Sequence, residues 1–134
     1  MTISPQLYAS TPGSFALKGS VVPRDAFIAA KLREAGAIFI GKANMAEWAG
    51  WRGAVPNGFS ARGGQTHCPY YRHSDPFGSS SGGGVAMAIG LAAGSIGTET
   101  DGSVVLPSSR NNVVGIKPTI GLVSRAGGTC NYIS

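Results

Sequence analysis

The apolar positions of the chain fall into helical stripes and short runs. Val85, Ala88, Ile89 and Ala92 recur at i, i+3, i+4 and i+7, which lays one apolar stripe along a helix. That helix is expected to begin just after Ser79-Ser80-Ser81, and its pattern breaks at Gly94. Upstream, Phe27, Ile28, Leu32 and Ala35 form the inner stripe of another helix, with Lys31, Arg33 and Glu34 on its wet face. Asp25 is suited to cap it and Gly36 to stop it. Residues 37–41 read as a buried strand, 113–116 as a second that Pro118 ends, and 120–124 as another short one.

The stretches between these elements are punctuated by turn formers. Residues 1–12 read as a loop and the chain stays irregular to Pro23, while 44–51 reads as a short helical segment with Trp48 and Trp51 packing. Residues 52–76 carry Pro56, Asn57-Gly58, Gly63-Gly64 and Pro69, and read as loop. There are no internal repeats. A helix and strand followed by a glycine turn and another helix is the order that a sheet flanked by helices produces, so the fold class is α/β.

Composition changes the picture in two ways. Only 13% of the residues are charged, against about 25% in ordinary soluble domains, as expected of faces that other polypeptide normally covers. The 21 glycines suit a turn-rich stretch in which backbones pass closely. The net charge of +5 is spread along the chain with no basic run and no recognition motif, so nucleic-acid binding is not expected. The uncharged stretch 76–98 has an apolar portion, 85–96, far short of the ~20 residues of a membrane span. No membrane partner is expected. No basic region followed by an apolar run opens the chain, which leaves localisation unassigned, with cytoplasmic as the default. Cys68 and Cys130 make neither a disulfide framework nor a metal spacing, and His67 beside Cys68 lacks the separation of zinc ligands. No metal and no cofactor are expected.

The candidate chemistry lies in two glycine-rich turns that carry serines. The first is Gly78-Ser79-Ser80-Ser81-Gly82-Gly83-Gly84, and the second is Gly97-Thr98-Glu99-Thr100-Asp101-Gly102-Ser103-Val104-Val105-Leu106-Pro107. The helix after the first turn brings unpaired N–H groups and a positive dipole end close to the serines. The second turn exposes further N–H groups of the kind an oxyanion hole requires. Two other readings compete. Residues 78–82 satisfy G-x-S-x-G with Ser80 as the nucleophile of an α/β-hydrolase-like esterase, but the histidine of that triad should follow, and none follows His73. A phosphate-binding loop would need G-x-x-x-x-G-K-[ST] or G-x-G-x-x-G, and neither is met.

The succession GSSSGG, GTETDGS, LPSS and GIKPT between Gly78 and Thr119 resembles the amidase signature family of serine hydrolases. The resemblance extends upstream through Gly13-Ser14-Phe15-Ala16-Leu17, residues 35–44 and Gly63-Gly64-Gln65, and covers roughly residues 11–127. It implies a triad of Ser, cis-Ser and Lys. Ser103 would be the nucleophile and Ser79, 24 positions earlier, the relay preceded by a cis peptide bond. Ser103 would form an acyl-enzyme with a small-molecule amide. The N–H groups of Thr100, Asp101, Gly102 and Ser103 would form the oxyanion hole, where losing one donor costs about 3–4 kcal/mol. Glu99 replaces an aspartate of similar role and is suited to fix the turn by accepting backbone hydrogen bonds. Asp101 and Val105 depart from the glycine and arginine of many relatives, and Asp101 would oppose catalysis if it pointed inward.

The family's lysine belongs to a Lys-Asp motif upstream of the segment at Gly13, and Lys18, Lys42 and Lys117 do not match it. The expectation is therefore that residues 1–134 are an incomplete central segment of one amidase signature domain, truncated at both ends. The implied fold is a partial one, a mixed sheet between helical layers. As it stands the segment is expected to hydrolyse no amide, and the alternative is a catalytically dead remnant or a protein that only binds. Neither the particular substrate nor the oligomeric state follows.

Overall fold

The computed structural model describes residues 12–50 and 53–128. Within them lie three α-helices, α1 (Phe27–Glu34), α2 (Ser81–Ala88) and α3 (Val105–Arg110), and two short strands, β1 (Phe59–Ser60) and β2 (Gly64–Gln65). Short 3-10 turns occupy Phe15–Leu17 and Glu47–Gly50. The strands form an antiparallel hairpin in which Phe59 faces Gln65 and Ser60 faces Gly64. Helices beside a small sheet agree with the α/β class.

Helix α1 lies where the apolar periodicity predicts it, but its ends are built differently. Asp25 does not cap it. Its carboxylate instead receives Arg33 Nε at 2.7 Å, and the N-cap is Ala26, which offers no side-chain acceptor. The Phe27 N–H donates to the Ala126 carbonyl at 3.0 Å, so a distant loop does the capping. At the other end Gly36, at φ +86°, turns the chain. Ala37 N–H donates to Leu32 C=O and Gly36 N–H to Arg33 C=O, the two bonds of a Schellman motif. The expected inner stripe is not buried: no residue of α1 is buried and Phe27 is exposed.

Helix α2 begins at Ser81, at the serine turn as expected, but ends at Ala88, short of the break expected at Gly94, and it buries Ser81 and Gly83. Close approach explains this. A Cβ on Gly82 would stand 2.5 Å from the Asn44 carbonyl oxygen, one on Gly83 2.6 Å from Ser95 Oγ, and one on Gly84 3.0 Å from the Pro107 carbonyl. The glycines are packing residues, each against a different segment, whereas Val85, Met87 and Ala88 are only half-buried and Ile89 is exposed. Gly90, at φ +76°, ends the helix.

Residues 37–41, 113–116 and 120–124, read as strands from their apolar runs, pair with no strand among the described residues. Ile38 and Val114 are each 84% exposed and Ile120 is 88% exposed. An apolar run becomes a buried strand only where neighbours supply a ladder and a covering layer, and the described residues supply neither. Helix α3 and the hairpin, by contrast, occupy stretches where no such element was expected. Trp48 is half-buried at φ +51°, so the segment after Asn44 is a left-handed turn and not a regular helix. Trp51 and Cys130 lie outside the described residues.

The interior of the described residues is small and polar. Its buried apolar side chains are Ala46 and Cys68, whereas Ser60, Ser81 and Asn111 are fully buried, as are Pro76 and Pro107. Asn44 organises this centre. Its Nδ2 lies 3.0 Å from each of three acceptors, the carbonyls of Gly58 and Gly64 and Thr66 Oγ1. Its Oδ1 accepts from Ser60 Oγ at 2.7 Å. Its own carbonyl accepts the Gly82 N–H at 2.9 Å. One side chain and one backbone carbonyl thus join the hairpin to α2, and α2 carries the first serine turn.

Candidate active site

The first serine turn is fixed from both sides. Ahead of it, Pro76 is buried and its carbonyl accepts Asn111 Nδ2 at 3.0 Å. The Asp75 carbonyl accepts Arg110 Nε at 2.9 Å, and the Asp75 carboxylate receives Asn57 Nδ2 and the Phe77 N–H. Gly78 lies against Asn57 Oδ1, which a Cβ would approach to 2.9 Å. The Gly78–Ser79 peptide bond is cis. Behind the turn, the Ser81 hydroxyl donates to the Phe77 carbonyl. The Ala46 N–H donates to the Ser79 carbonyl at 2.9 Å.

Three neighbouring serines end in three different situations. Ser81 Oγ is spent on the local backbone. Ser80 Oγ accepts the Thr98 N–H at 3.2 Å and donates to the Thr98 carbonyl at 3.3 Å. Ser79 is only 4% exposed, and its Oγ is a buried polar atom with no hydrogen-bond partner among the described residues. A buried hydroxyl left unpaired costs about 1–3 kcal/mol. Such an orphan marks a place where a partner is called for.

The two serine turns meet directly. The Ser80 N–H donates to the Ser103 carbonyl at 3.0 Å, and Gly97 lies against Ser80, whose Oγ would be 2.7 Å from a Cβ there. Ser103 is half-buried, Gly102 buried, and Thr100 and Asp101 exposed. The Asp101 carboxylate is thus on the solvent side of the turn. Ser103 leads into α3, where Pro107 sits in the first turn, a position that needs no N–H donor from it. Asn112 in the left-handed region closes that helix, with the Val113 N–H returning to the Ser108 carbonyl.

Glu99 holds the second turn. Its carboxylate accepts the N–H groups of Gly102, Val104 and Val105 at 2.8, 2.6 and 2.9 Å. Burial pushes its acidity toward the neutral form. The Val105, Val104 and Gly102 N–H groups and the Lys117 charge outweigh that and hold the carboxyl below the usual carboxylate range. Of the four N–H groups expected in an oxyanion hole, Gly102 is therefore already engaged. The N–H groups of Thr100, Asp101 and Ser103 donate to no acceptor among the described residues.

None of the described lysines partners Ser79 Oγ. Lys18 Nζ lies 5.7 Å from the centre of the Phe15 ring. Burial, followed by the Arg62 charge, pulls the Lys42 ammonium below its ordinary value, and Asp25 opposes the shift. Lys117 is near enough to Glu99 to help ionise it. A concavity of about 390 Å³ is walled by Asn57, His67, His73 and Asp75 among others, and neither Ser79 nor Ser103 lines it. His67 and His73 meet edge to face at 5.5 Å. Among the described residues no group of three or more His, Cys, Asp or Glu is placed to hold a metal ion, and no helix is long and apolar enough to cross a membrane.

The family resemblance pointed to Ser79 and Ser103. It did not single out Asn57, Asp75, Arg110 and Asn111, which fix the approach to the first turn. Asn57 was legible only as half of a turn dipeptide, and Arg110 and Asn111 lie 35 and 36 positions from Asp75 with no spacing signal.

The amidase family model matches residues 3–133. A probable amidase of Arabidopsis thaliana is 55% identical over 119 residues, covering 88% of this chain and 23% of that protein. A glutamyl-tRNA(Gln) amidotransferase subunit of Syntrophobacter fumaroxidans is 46% identical over 118 residues, again 88% of this chain and 24% of that one. Among solved structures, the native peptide amidase of Stenotrophomonas maltophilia superimposes with a TM-score of 0.84 at 55% identity, covering 87% of this chain and 24% of its own. The chain spans less than a quarter of the length of these relatives.

Proposed function

This chain belongs to the amidase family, and from that premise we propose that it carries the serine machinery of a hydrolase of carboxamide C–N bonds. In this reading Ser103 Oγ attacks the amide carbonyl carbon as its proton passes to Ser79 Oγ, and Ser79 hands its own proton to a base. The tetrahedral intermediate collapses, the C–N bond breaks and the amine leaves protonated, with the acyl group as an ester on Ser103. Water then frees the acid.

The observation that supports the reading is the buried Ser79 hydroxyl, without a partner among the described residues, in a turn whose Ser80 N–H is hydrogen-bonded to the Ser103 carbonyl. A relay needs a free hydroxyl between nucleophile and base, and of the three adjacent serines only this one is uncommitted. The Ser80 hydroxyl, the nucleophile of the esterase reading, is bound to both backbone groups of Thr98.

No lysine among the described residues reaches Ser79 Oγ. The 134 residues by themselves are therefore proposed to turn over no amide. In the family's mixed sheet between helical layers, residues 37–41 and 113–116 would find the partners they lack here.

The test uses a peptide amide, with the gene's full product and with the 134-residue chain alone. The reading expects ammonia release and an acyl adduct on the Ser103 peptide from the full product, both lost in Ser103→Ala, and neither from the chain alone. Silence from the full product would favour the catalytically dead or binding-only alternative. Ser103-dependent turnover by the chain alone would overturn the proposed inactivity and give the base role to Lys18, Lys42 or Lys117.

A further inference from the structure

Arg110 is the last residue of α3, where a cation complements the helix dipole. Its side chain is fixed more tightly than that role requires. Nε donates to the Asp75 carbonyl at 2.9 Å, and Cζ lies 5.4 Å from the centre of the Phe77 ring. The guanidinium is thus folded back and held in one orientation. The Asp75 carboxylate does not neutralise it, being turned to Asn57 Nδ2 and the Phe77 N–H. Arg110 pairs with no carboxylate among the described residues. With Nε engaged, the Nη groups are left as a fork of the kind that binds a carboxylate through parallel hydrogen bonds.

The fork borders a concavity of about 250 Å³ that Arg110 shares with Cys68, Tyr70, Tyr71 and Asn112. Its walls are built before any ligand arrives. The Cys68 N–H donates to the Ser74 carbonyl and the Ser74 N–H to the Tyr71 carbonyl, each at 3.2 Å, which closes the loop. The Tyr70 hydroxyl donates to the Asn111 carbonyl at 3.1 Å, which fastens that loop to the end of α3. Tyr71, 73% exposed, presents its ring at the rim, and Asn112, left-handed at φ +54°, adds an amide. The surroundings favour negative charge. Burial pushes the Cys68 thiol up, but the Tyr70 N–H, the Ser74 hydroxyl, the Tyr71 N–H and the Arg110 charge outweigh it and hold the thiol below its ordinary value.

We propose that Arg110 anchors a binding site for a small organic carboxylate in this concavity. The class follows from the charge and the lining. Arg110 is the single cation among the residues that line it, which matches the one charge of a carboxylate and falls short of the −1.5 to −2 or so of a phosphate group. The tyrosine rings offer apolar faces to the body of the acid. Neither Ser79 nor Ser103 lines the concavity, so the site is separate from the serine pair and does not rest on the reading of Ser103 as nucleophile.

The experiment titrates the gene's full product, carrying ¹⁵N in arginine side chains and ¹³C in tyrosine rings, with phenylacetate. A parallel titration uses 2-phenylethanol, which has the same ring without the charge. Phenylacetate should shift the Arg110, Tyr70 and Tyr71 signals along one saturating curve, and 2-phenylethanol should bind at least about tenfold more weakly. Arg110→Gln should weaken phenylacetate at least about tenfold. Arg110→Lys, which keeps the charge and loses the fork, should weaken it at least about threefold. Ser103→Ala should leave the curve unchanged.

Shifts that do not saturate, equal binding of the two probes, or native affinity in either Arg110 variant overturn the proposal. Loss of the shifts in Ser103→Ala does so too, because the ligand would then lie at the serines. Tighter binding of inorganic phosphate than of phenylacetate overturns the choice of a carboxylate. Arg110→Gln also gives up the bond to Asp75; if it does not fold, the two titrations of the native protein and Arg110→Lys decide.

Discussion

The N–H of Ser80 donates to the carbonyl of Ser103 across 3.0 Å, joining residues 23 positions apart in the chain. Each belongs to a turn that is itself held, the first by the Asn57 side chain on the Asp75 carboxylate, the Asn111 side chain on the Pro76 carbonyl and the Asn44 carbonyl on the Gly82 N–H, the second by Glu99. The junction is reinforced by the Ser80 hydroxyl on Thr98.

Ser80→Ala should weaken the junction without removing it, because the backbone bond to Ser103 survives and only the paired bonds to Thr98 are lost. The expected loss is about 1–2 kcal/mol, the net worth of one or two neutral hydrogen bonds. Urea denaturation reads it as a lower midpoint with an unchanged slope. A midpoint equal to that of the native protein would mean that the Thr98 contacts contribute nothing.

Gly82→Ala sets two effects against each other. Alanine favours a helix over glycine by about 1 kcal/mol, but here its Cβ would lie 2.5 Å from the Asn44 carbonyl oxygen, a backbone atom with little freedom to move. Overpacking of this kind costs about 1–3 kcal/mol or more. Net destabilisation is expected. By contrast Gly90→Ala meets open space, and its cost should be confined to the left-handed backbone. Stabilisation by Gly82→Ala would show that the segment at Asn44 can retreat.

Asn44→Ala removes the side chain that links β1, β2 and Thr66. About 2–4 kcal/mol should be lost, since Ser60, buried, is left without its acceptor. Hydrogen exchange should rise in the Phe59–Gln65 hairpin before it rises in α3. Uniform loosening of both would mean that Asn44 supports the whole fold and not the hairpin alone.

Glu99 makes stability depend on pH in one direction. Its folded pKa is below its unfolded value of about 4.3, so the unfolded state binds the proton more readily. The contribution of Glu99 is complete above the unfolded value and is lost as the pH falls through the folded one. Glu99→Gln should flatten that acid limb while leaving the curve above pH 6 parallel to the native one. Parallel acid limbs in the two proteins would assign the acid sensitivity to other carboxylates.

Much of the chemistry was legible in the sequence because it is local. The family resemblance, carried by serines among glycines, points to Ser79 and Ser103, 24 positions apart, and Glu99 is close in the chain to the N–H groups it accepts. Helix α1 followed its apolar period and its terminal glycine. Its buried stripe did not follow, since Phe27 is exposed and the interior is built instead from Ser60, Ser81, Asn111 and glycine contacts.

What the sequence determined by itself were the features set by the local backbone: the glycine turns, the helix stop at Gly36, and the serine spacing. Only the tertiary structure decided which of three adjacent serine hydroxyls has no partner among the described residues, and that Asn44, Asn57 and Asn111 fix the first turn. It also left the apolar runs at 37–41 and 113–116 unpaired among the described residues. The reason is physical. A turn is set by the φ and ψ of a few neighbouring residues, whereas a hydroxyl's partner, a glycine's close contact and a strand's ladder depend on segments far away in the chain.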